Sequence, residues 1–243
     1  MDKIKKLTLD EFKNIASQQP FDQLMVEKDY FVTMLLYLLK DVEGLYFNGG
    51  TALQKIFLDY SRLSEDIDFT VTRDIEEVSK EIVEKIKRES LFGEITADKN
   101  VAGFMRLVVH FKGFSNQDDA VFIDLNKRAR LLLNPERHKI NHFYRNHIPE
   151  FYCNTLAKEE MFAEKMAAAI GRNKPRDHFD LYKIIQMKMP INLELVKKKC
   201  EQAGNELDIT KMFNKAKKLK NKWDKDMHSL IAEEVGFQEV MIK

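Results

Sequence analysis

Hydrophobic and polar positions in the first part of the chain predict two helices followed by a strand. Thr8 and Glu11 form a capping-box pattern, which predicts a short helix that ends near Ser17. From residue 21, apolar positions recur at helical spacing and predict a long helix that ends within residues 41–44. The apolar run 45–47 lies between Gly44 and Gly49 and therefore predicts a short strand.

Further along, short apolar segments alternate between the two periodicities. The pattern predicts helices at 51–58 and 74–89, and strands at 67–71, 104–111 and 121–125. After Pro135 the character changes: helices are predicted at 158–172 and 177–187, and the remainder is also helical. We therefore expect a mixed α/β core over residues 1–140, including the N-terminal helices, and a helical part over residues 141–243.

Composition narrows the class of protein only a little. The net charge of +1 does not indicate a nucleic-acid binder, although the lysines at 197–199 and within 211–225 fit either a solvated face or contact with an RNA backbone. Cys153 and Cys200 lack metal-ligand spacing and do not form a disulfide framework, which favours the cytoplasm. The N-terminus does not resemble a signal peptide, and the apolar run 31–39 is too short to span a bilayer.

Two aspartates on one predicted strand are the first candidates for chemistry. Asp66 and Asp68 are two residues apart, so their side chains face the same side of a strand. Two adjacent carboxylates need a positive partner, which is either a divalent cation such as Mg²⁺ or an arginine. The ordinary alternative is an ion pair with Arg62 or Arg73.

Asp124 is a third candidate because it lies on another predicted strand, with apolar residues on the opposite face. If the two strands are neighbours, three carboxylates fit a site in which two metal ions, Mg²⁺ or Mn²⁺, hold a phosphoryl group. The alternative is a strand-end carboxylate that pairs with Lys127 or Arg128.

The segment Gly49-Gly50-Thr51 lies between a predicted strand and a predicted helix. Glycine lets the backbone approach a ligand closely, and a helix N-terminus offers free N–H groups to an anion. The segment is not a P-loop, because the G-x-x-x-x-G-K-[ST] pattern is absent. Lys55, one turn into the helix, would reach the same phosphates. Alone, two glycines are a weak signal and are more often a plain turn.

Several charged residues in the helical part form another candidate cluster. Lys165 lies among alanines and methionines, so it either extends its ammonium to the surface or pairs with an acidic group. Asp177 and Asp180 are three residues apart and share a helix face, next to Arg172 and Arg176. The cluster is either a functional site or an ion-pair network that joins two helices.

These motifs, in this order, resemble a known family. The segments FNGGTALQK, RLSEDIDFTV and AEKMAAAIGRNKPRDHFDLYKI are similar to motifs of the AbiEii nucleotidyltransferase toxins, the toxin half of type IV toxin–antitoxin systems. This grouping includes the MenT toxins of mycobacteria. VEKDYFVTMLL also resembles the helix that precedes the first motif. The resemblance implies a polymerase-beta-like nucleotidyltransferase core with a mixed sheet.

The resemblance also implies roles for the candidate residues. Gly49, Gly50 and Thr51 would form the nucleotide phosphate loop with Lys55 nearby, and Ser64 would contact phosphate. Asp66 and Asp68 would bind the metal, while the wider superfamily pattern suggests Asp124 as a metal ligand or base. In the C-terminal part, Lys165 would bind the triphosphate, and Arg172 and Arg176 would be the two arginines of the site. The acidic residue of this part would be either Asp177 or Asp180.

The resemblance implies a metal-dependent transferase that moves a nucleoside monophosphate from an NTP to a hydroxyl, with an RNA 3′ end such as that of tRNA as the expected acceptor. The same resemblance implies an antitoxin partner. Two other hypotheses remain open at this stage. The acceptor could be a small molecule or a protein, or the chain could be an NTP-binding module without catalysis.

Overall fold

The computed structural model describes residues 4–233 and 235–242, which form a seven-stranded mixed sheet and the helices around it. The N-terminal half contains α1 (Leu9–Ala16), α2 (Gln23–Leu39), β1 (Leu45–Asn48), α3 (Gly49–Ile56), β2 (Asp66–Val71), α4 (Ile75–Lys87), β3 (Phe92–Val101), β4 (Phe104–Lys112) and β5 (Asp118–Asn126). The remainder contains β6 (Glu136–Lys139), β7 (Tyr152–Thr155), α5 (Lys158–Gly171), α6 (Pro175–Gln186), α7 (Leu193–Gln202), α8 (Thr210–Asn214), α9 (Ala216–Met227) and α10 (Phe237–Ile242). Within the described ranges, none of the helices combines the length and apolar character needed to cross a membrane.

The helices and strands predicted from periodicity are confirmed, with ends that differ by a few residues. Thr8 caps α1, and both hydrogen bonds of the capping box form with Glu11. Three strands, β3, β6 and β7, were not predicted from the sequence. Along β3 most side chains are exposed, so its sequence carries no alternation, and its strand conformation comes from pairing with β4.

The strand order of the sheet is β3-β4-β5-β2-β1-β7-β6. β2 and β5 are parallel neighbours although β3 and β4 separate them in sequence, and Asp68 lies directly opposite Asp124. β7 pairs with β1 in parallel, so the sheet draws strands from both sides of residue 140. A division of the chain into domains at that residue stays a prediction.

The main hydrophobic core lies between one face of the sheet and the helices α2 and α4. Phe31 and Leu35 of α2 pack with Phe47, Ile67 and Ile123 of the sheet, and all five side chains are buried. Burying a side chain of this size stabilises the fold by roughly 1.5–3 kcal/mol. α5, α6, α7 and α8 form a separate core cluster, and Trp223 of α9 packs in another cluster against α6.

Candidate active site

Alternation along two parallel strands brings three carboxylates to one face of the sheet. On β2, Ile67 and Phe69 point into the core, which leaves Asp66 and Asp68 on the opposite face. On β5, Ile123 and Leu125 are buried in the core, so Asp124 faces the same side as the β2 aspartates. The proximity of Asp124 that the sequence suggested is therefore present in the fold.

Burial and neighbouring negative charges raise the pKa values of Asp66 and Asp68. Burial and then the neighbouring carboxylates of Asp124 and Asp66 raise the pKa of Asp68 to about 7. Burial also raises the pKa of Asp66, and Glu65 and Asp124 add to the rise, although Arg176 opposes it. Carboxylates whose ionised form is destabilised in this way favour a positively charged partner.

Both glycines lie in close contact with charged side chains, and the contact at Gly49 is the tighter one. Gly49 has a φ of +76°, and a Cβ atom on it would lie 2.1 Å from Oδ2 of Asp68. A Cβ atom on Gly50 would lie 2.6 Å from Nη2 of Arg62. The start of α3 therefore lies directly against the aspartate of β2, and only glycine allows that approach.

Hydrogen bonds tie α3 to β2 at this point. The hydroxyl of Thr51 donates to the backbone carbonyl of Asp66, and Nδ2 of Asn48 donates to the hydroxyl of Thr70 at 2.7 Å. Thr51 is buried, so its side chain positions the loop and is not exposed to the cleft. Ser64 and Gly50, by contrast, line the cleft.

Cationic side chains from the C-terminal helices face the carboxylates across the cleft. Nζ of Lys165 lies 3.0 Å from Oδ1 of Asp177, and the guanidinium of Arg172 makes two hydrogen bonds to the same carboxylate, at 2.6 and 2.9 Å. Burial would raise the pKa of Asp177, but Lys165 and Arg172 outweigh it and hold that pKa well below its usual range. Asp177 is therefore an anionic anchor that fixes the two cations in position.

Asp180 has a different partner set. Its carboxylate receives two hydrogen bonds from Arg62, each 2.7 Å long, and another from Gln54 at 2.9 Å, while Lys165 lies 3.0 Å away. All of these side chains are buried. Asp180 therefore joins α6 to α3 and to the chain before β2, which is the ion-pair network that the sequence analysis had kept as an alternative.

The cleft has a volume of about 230 Å³. It brings together most of the predicted site residues and three that were not predicted to be there. The lining residues are Gly50, Arg62, Ser64, Asp66, Asp68, Arg106, Asp124, Lys165, Arg172, Lys174, Arg176 and Asp177. Gly49 lines a smaller adjoining cavity that shares Lys165 and Arg172 with the cleft.

Lys55 is not brought to the cleft, although the sequence analysis placed it near the phosphates. Its ammonium is buried and lies 2.6 Å from Oδ1 of Asp29, and it also donates to the hydroxyls of Thr33 and Tyr60. The reason is helical geometry: Lys55 lies on the side of α3 that packs against α2. Here the lysine and the VEKDYF segment stabilise each other.

Arg62, Arg106 and Lys174 are the cleft residues that the sequence analysis missed as site residues. Arg106 of β4 donates two hydrogen bonds to the carboxylate of Asp124, at 2.6 and 2.7 Å. The sequence feature that could have indicated Arg106 as a site residue was its position on the polar side of the predicted strand 104–111. The register that sets Arg106 opposite Asp124 is not evident from the sequence. Neither Lys127 nor Arg128, the alternatives considered, takes this role.

The residues that would hold a divalent metal are Asp66 and Asp68, which crowd negative charge on one face of β2. In the described ranges, no three acidic, histidine or cysteine side chains form a set that could hold a metal ion, and Asp124 pairs with Arg106. The donor chemistry nevertheless fits a hard cation, because burial, together with the neighbouring carboxylates, raises the pKa values of the two aspartates, and such a cation would favour their ionised forms. The metal-ligand roles stay predictions.

The structure contains the arrangement expected from the motifs: a strand that leads through Gly-Gly into a helix, paired aspartates on the next strand and a third on its parallel neighbour. The sequence model of the family described as "Nucleotidyl transferase AbiEii toxin, Type IV TA system" matches residues 36–241, and the chain belongs to that family. The family and the fold class expected from the motifs are confirmed. No curated protein matches the sequence.

Solved structures share this fold at low sequence identity. JHP933 from Helicobacter pylori superposes with a TM-score of 0.63 at 16% identity, over 91% of this chain and 89% of that one. MenT4, a nucleotidyltransferase toxin from Mycobacterium tuberculosis H37Rv, superposes with a TM-score of 0.62 at 23% identity, over 80% of this chain and 69% of that one. At these identities the superpositions establish the fold alone.

Proposed function

We propose that the protein transfers a nucleoside monophosphate from an NTP to a hydroxyl group of an RNA acceptor, such as the 3′ end of a tRNA, and that it acts as the toxin of a toxin–antitoxin pair in the cytoplasm. The observation that carries the proposal is the composition of the cleft. Carboxylates from β2 and β5 face a set of cations from the C-terminal helices across a space of about 230 Å³. Membership of the AbiEii family supports the same reading.

The cleft has the charge that a metal-bound triphosphate needs. Six cationic and four acidic side chains line it. Lys174 forms no ion pair with any described residue, and the N-terminus of α3 at Gly50 adds free N–H groups. Lys165 stays protonated: burial lowers its pKa, but Asp177 and Asp180 outweigh this and raise it.

Each side chain has a separate part in the proposed reaction. Asp66 and Asp68 would hold divalent metals, of which one would lower the pKa of the attacking hydroxyl and the other would stabilise the leaving pyrophosphate. Lys165 and Arg172, held by Asp177, would bind the phosphates from the opposite wall and neutralise the charge that develops there. Arg106 fixes the orientation of Asp124, which would accept the hydroxyl proton or complete the metal ligand set.

The first test is labelling of RNA. Deproteinised total RNA is incubated with Mg²⁺ and each labelled NTP in turn, with wild-type protein, Asp66→Ala or Asp118→Ala. Asp118 lies exposed at the far end of β5 and serves as the matched acidic control. We expect labelled RNA with wild type and the control, and none with Asp66→Ala. Unchanged labelling by Asp66→Ala would refute the proposed chemistry, and label on protein or on a small molecule would refute RNA as the acceptor.

A second test concerns contact with RNA. Reversing exposed lysines of α9 to glutamate should weaken RNA binding and lower the salt dependence of log K by about 0.7 for each lost phosphate contact on a single strand. The lysines are Lys217, Lys218, Lys220, Lys222 and Lys225. A salt slope equal to that of wild type would exclude this face from the acceptor site.

The antitoxin partner is tested by co-expression. A protein encoded beside this chain should relieve the growth arrest that this chain causes.

A further inference from the structure

A second and larger cavity, with a volume of about 500 Å³, lies beside the cleft. Arg172 lines both spaces. A small cavity connects them, since it shares Glu164 and Ala168 with the larger one and Lys165 with the cleft. A molecule whose charged end lies in the cleft can therefore extend past Arg172 into this space.

The walls of the second cavity have the shape and chemistry of a small-molecule site. Part of its surface is formed by small side chains, which leave room for a flat ring: Ala129, Ala167, Ala168, Gly171 and Ala203. Polar groups surround this surface, among them Asn126, Gln202 and Asn205. Cavities of 300–1,000 Å³ with an apolar surface and a few placed polar groups are typical of ligand sites.

One acidic group of this cavity is held in a fixed orientation. Lys199 is buried, and its Nζ lies 2.7 Å from Oε1 of Glu160 and 2.9 Å from Oε2 of Glu164. Glu160 is itself fixed, because the backbone N–H groups of Leu132 and Leu133 donate to its two oxygens at 3.0 Å. Glu164 keeps a third of its side chain exposed, so its carboxylate is an oriented hydrogen-bond acceptor at the junction of the two spaces.

Gln202 provides a second polar observation. Its Oε1 atom is buried and has no hydrogen-bond partner among the residues that the structure describes, while its Nε2 donates to the carbonyl of Arg130 at 3.3 Å. A buried acceptor without a donor costs free energy. A ligand with N–H or O–H donors in this cavity would offer it a partner.

We propose that this cavity holds the nucleoside of the donor NTP and that the Glu164 carboxylate accepts hydrogen bonds from N–H or O–H groups of that nucleoside. The inference rests on the proposed function, which assigns the phosphates to the cleft. Arg172 then lies where the phosphates join the ribose. Glu164 binds substrate in this assignment, and Lys199 is a positioning residue that acts through Glu164.

The test is calorimetric binding in Mg²⁺ of each NTP and of inorganic tripolyphosphate. Ala203 is exposed, so Ala203→Trp fills the cavity without a change in the core, and Ala203→Ser is its control. We expect wild type to bind at least one NTP about tenfold or more tightly than tripolyphosphate. Ala203→Trp should abolish this advantage and leave tripolyphosphate binding unchanged. Glu164→Gln, which keeps the shape, should weaken that NTP about tenfold with no effect on tripolyphosphate.

Equal affinity of wild type for NTPs and tripolyphosphate would overturn the assignment, and so would NTP binding by Ala203→Trp that matches Ala203→Ser. A rise in the KM for RNA in Ala203→Trp, with NTP affinity intact, would assign the cavity to the acceptor and also overturn it. Failure of the proposed function looks different. Wild type would bind NTPs selectively yet transfer no label, and the nucleoside assignment would still stand on the binding data.

Discussion

Replacing Gly49 by alanine introduces two separate penalties. The first is conformational, because the φ of +76° lies in the left-handed region, which costs an alanine about 1–2 kcal/mol. The second is steric, because the added Cβ would lie 2.1 Å from Oδ2 of Asp68, where ordinary contact begins near 3.4 Å. Either α3 or the Asp68 carboxylate must therefore move by more than an ångström.

Gly204 offers a control for the first penalty alone. Its φ is +72°, and a Cβ atom built on it meets nothing within 4 Å. Urea unfolding should therefore show a loss of about 1–2 kcal/mol for Gly204→Ala and a larger loss for Gly49→Ala. Because metal ligands tolerate displacements of only about 0.2 Å, Gly49→Ala should also lose Mg²⁺-dependent transfer by about 100-fold or more.

Equal losses of stability in the two variants would show that the contact with Asp68 is not as close as described. Full activity of a folded Gly49→Ala protein would refute the argument that the glycine exists to let α3 approach the β2 carboxylate. Circular dichroism of both variants establishes that the comparison is between folded proteins.

Three further predictions concern the charged groups. In EDTA, the unfolding free energy of Asp68→Asn should rise relative to that of wild type as the pH rises from about 4 to about 7. The folded-state pKa of Asp68 is raised to about 7 from 3.8, so its ionisation destabilises the folded state. Between pH 5 and pH 8, the difference in unfolding free energy between the two proteins, measured in urea, should change by on the order of a few kcal/mol, and a pH-independent difference would contradict this. Arg62→Met should lose about 3–5 kcal/mol because it leaves Asp180 buried without its main partner, and Arg62→Met with Asp180→Leu should recover part of that loss in the same assay. Lys55→Met should lose stability to a similar extent, but the folded protein should keep its affinity for tripolyphosphate. Lys165→Met should lose that affinity. Weaker binding of tripolyphosphate by Lys55→Met would show that Lys55 belongs to the phosphate site.

The elements that periodicity defines well were predictable from the sequence. α4 and β5 carry strong helical or alternating patterns, because one face of each is buried, whereas α2 is a long, largely apolar helix that is buried on nearly all sides. The polar strand β3 and the short strands β6 and β7 carry no such pattern, because pairing with neighbours decides their conformation. The acidic side of the cleft was predictable for the same reason, since alternation alone places Asp66 and Asp68 on one face.

The partners of the charged residues were not predictable, because they depend on register and on helix rotation. Arg106 meets Asp124 through a cross-strand register that only the folded sheet defines. Lys55 is directed towards α2 by the angle at which α3 packs. The nearest arginine in sequence to the paired aspartates, Arg62, serves Asp180, which lies more than a hundred positions along the chain.

The parallel pairing of β7 with β1 has a consequence for the order in which the chain folds. During synthesis, β1 and β2 emerge long before residues 152–155, so β1 with its apolar run 45–47 is an open edge of the nascent sheet until β7 arrives. Open apolar edges promote aggregation between chains. Fragments that end near residue 140 should therefore aggregate, and an engineered split of this protein would need to keep residues 1–155 together.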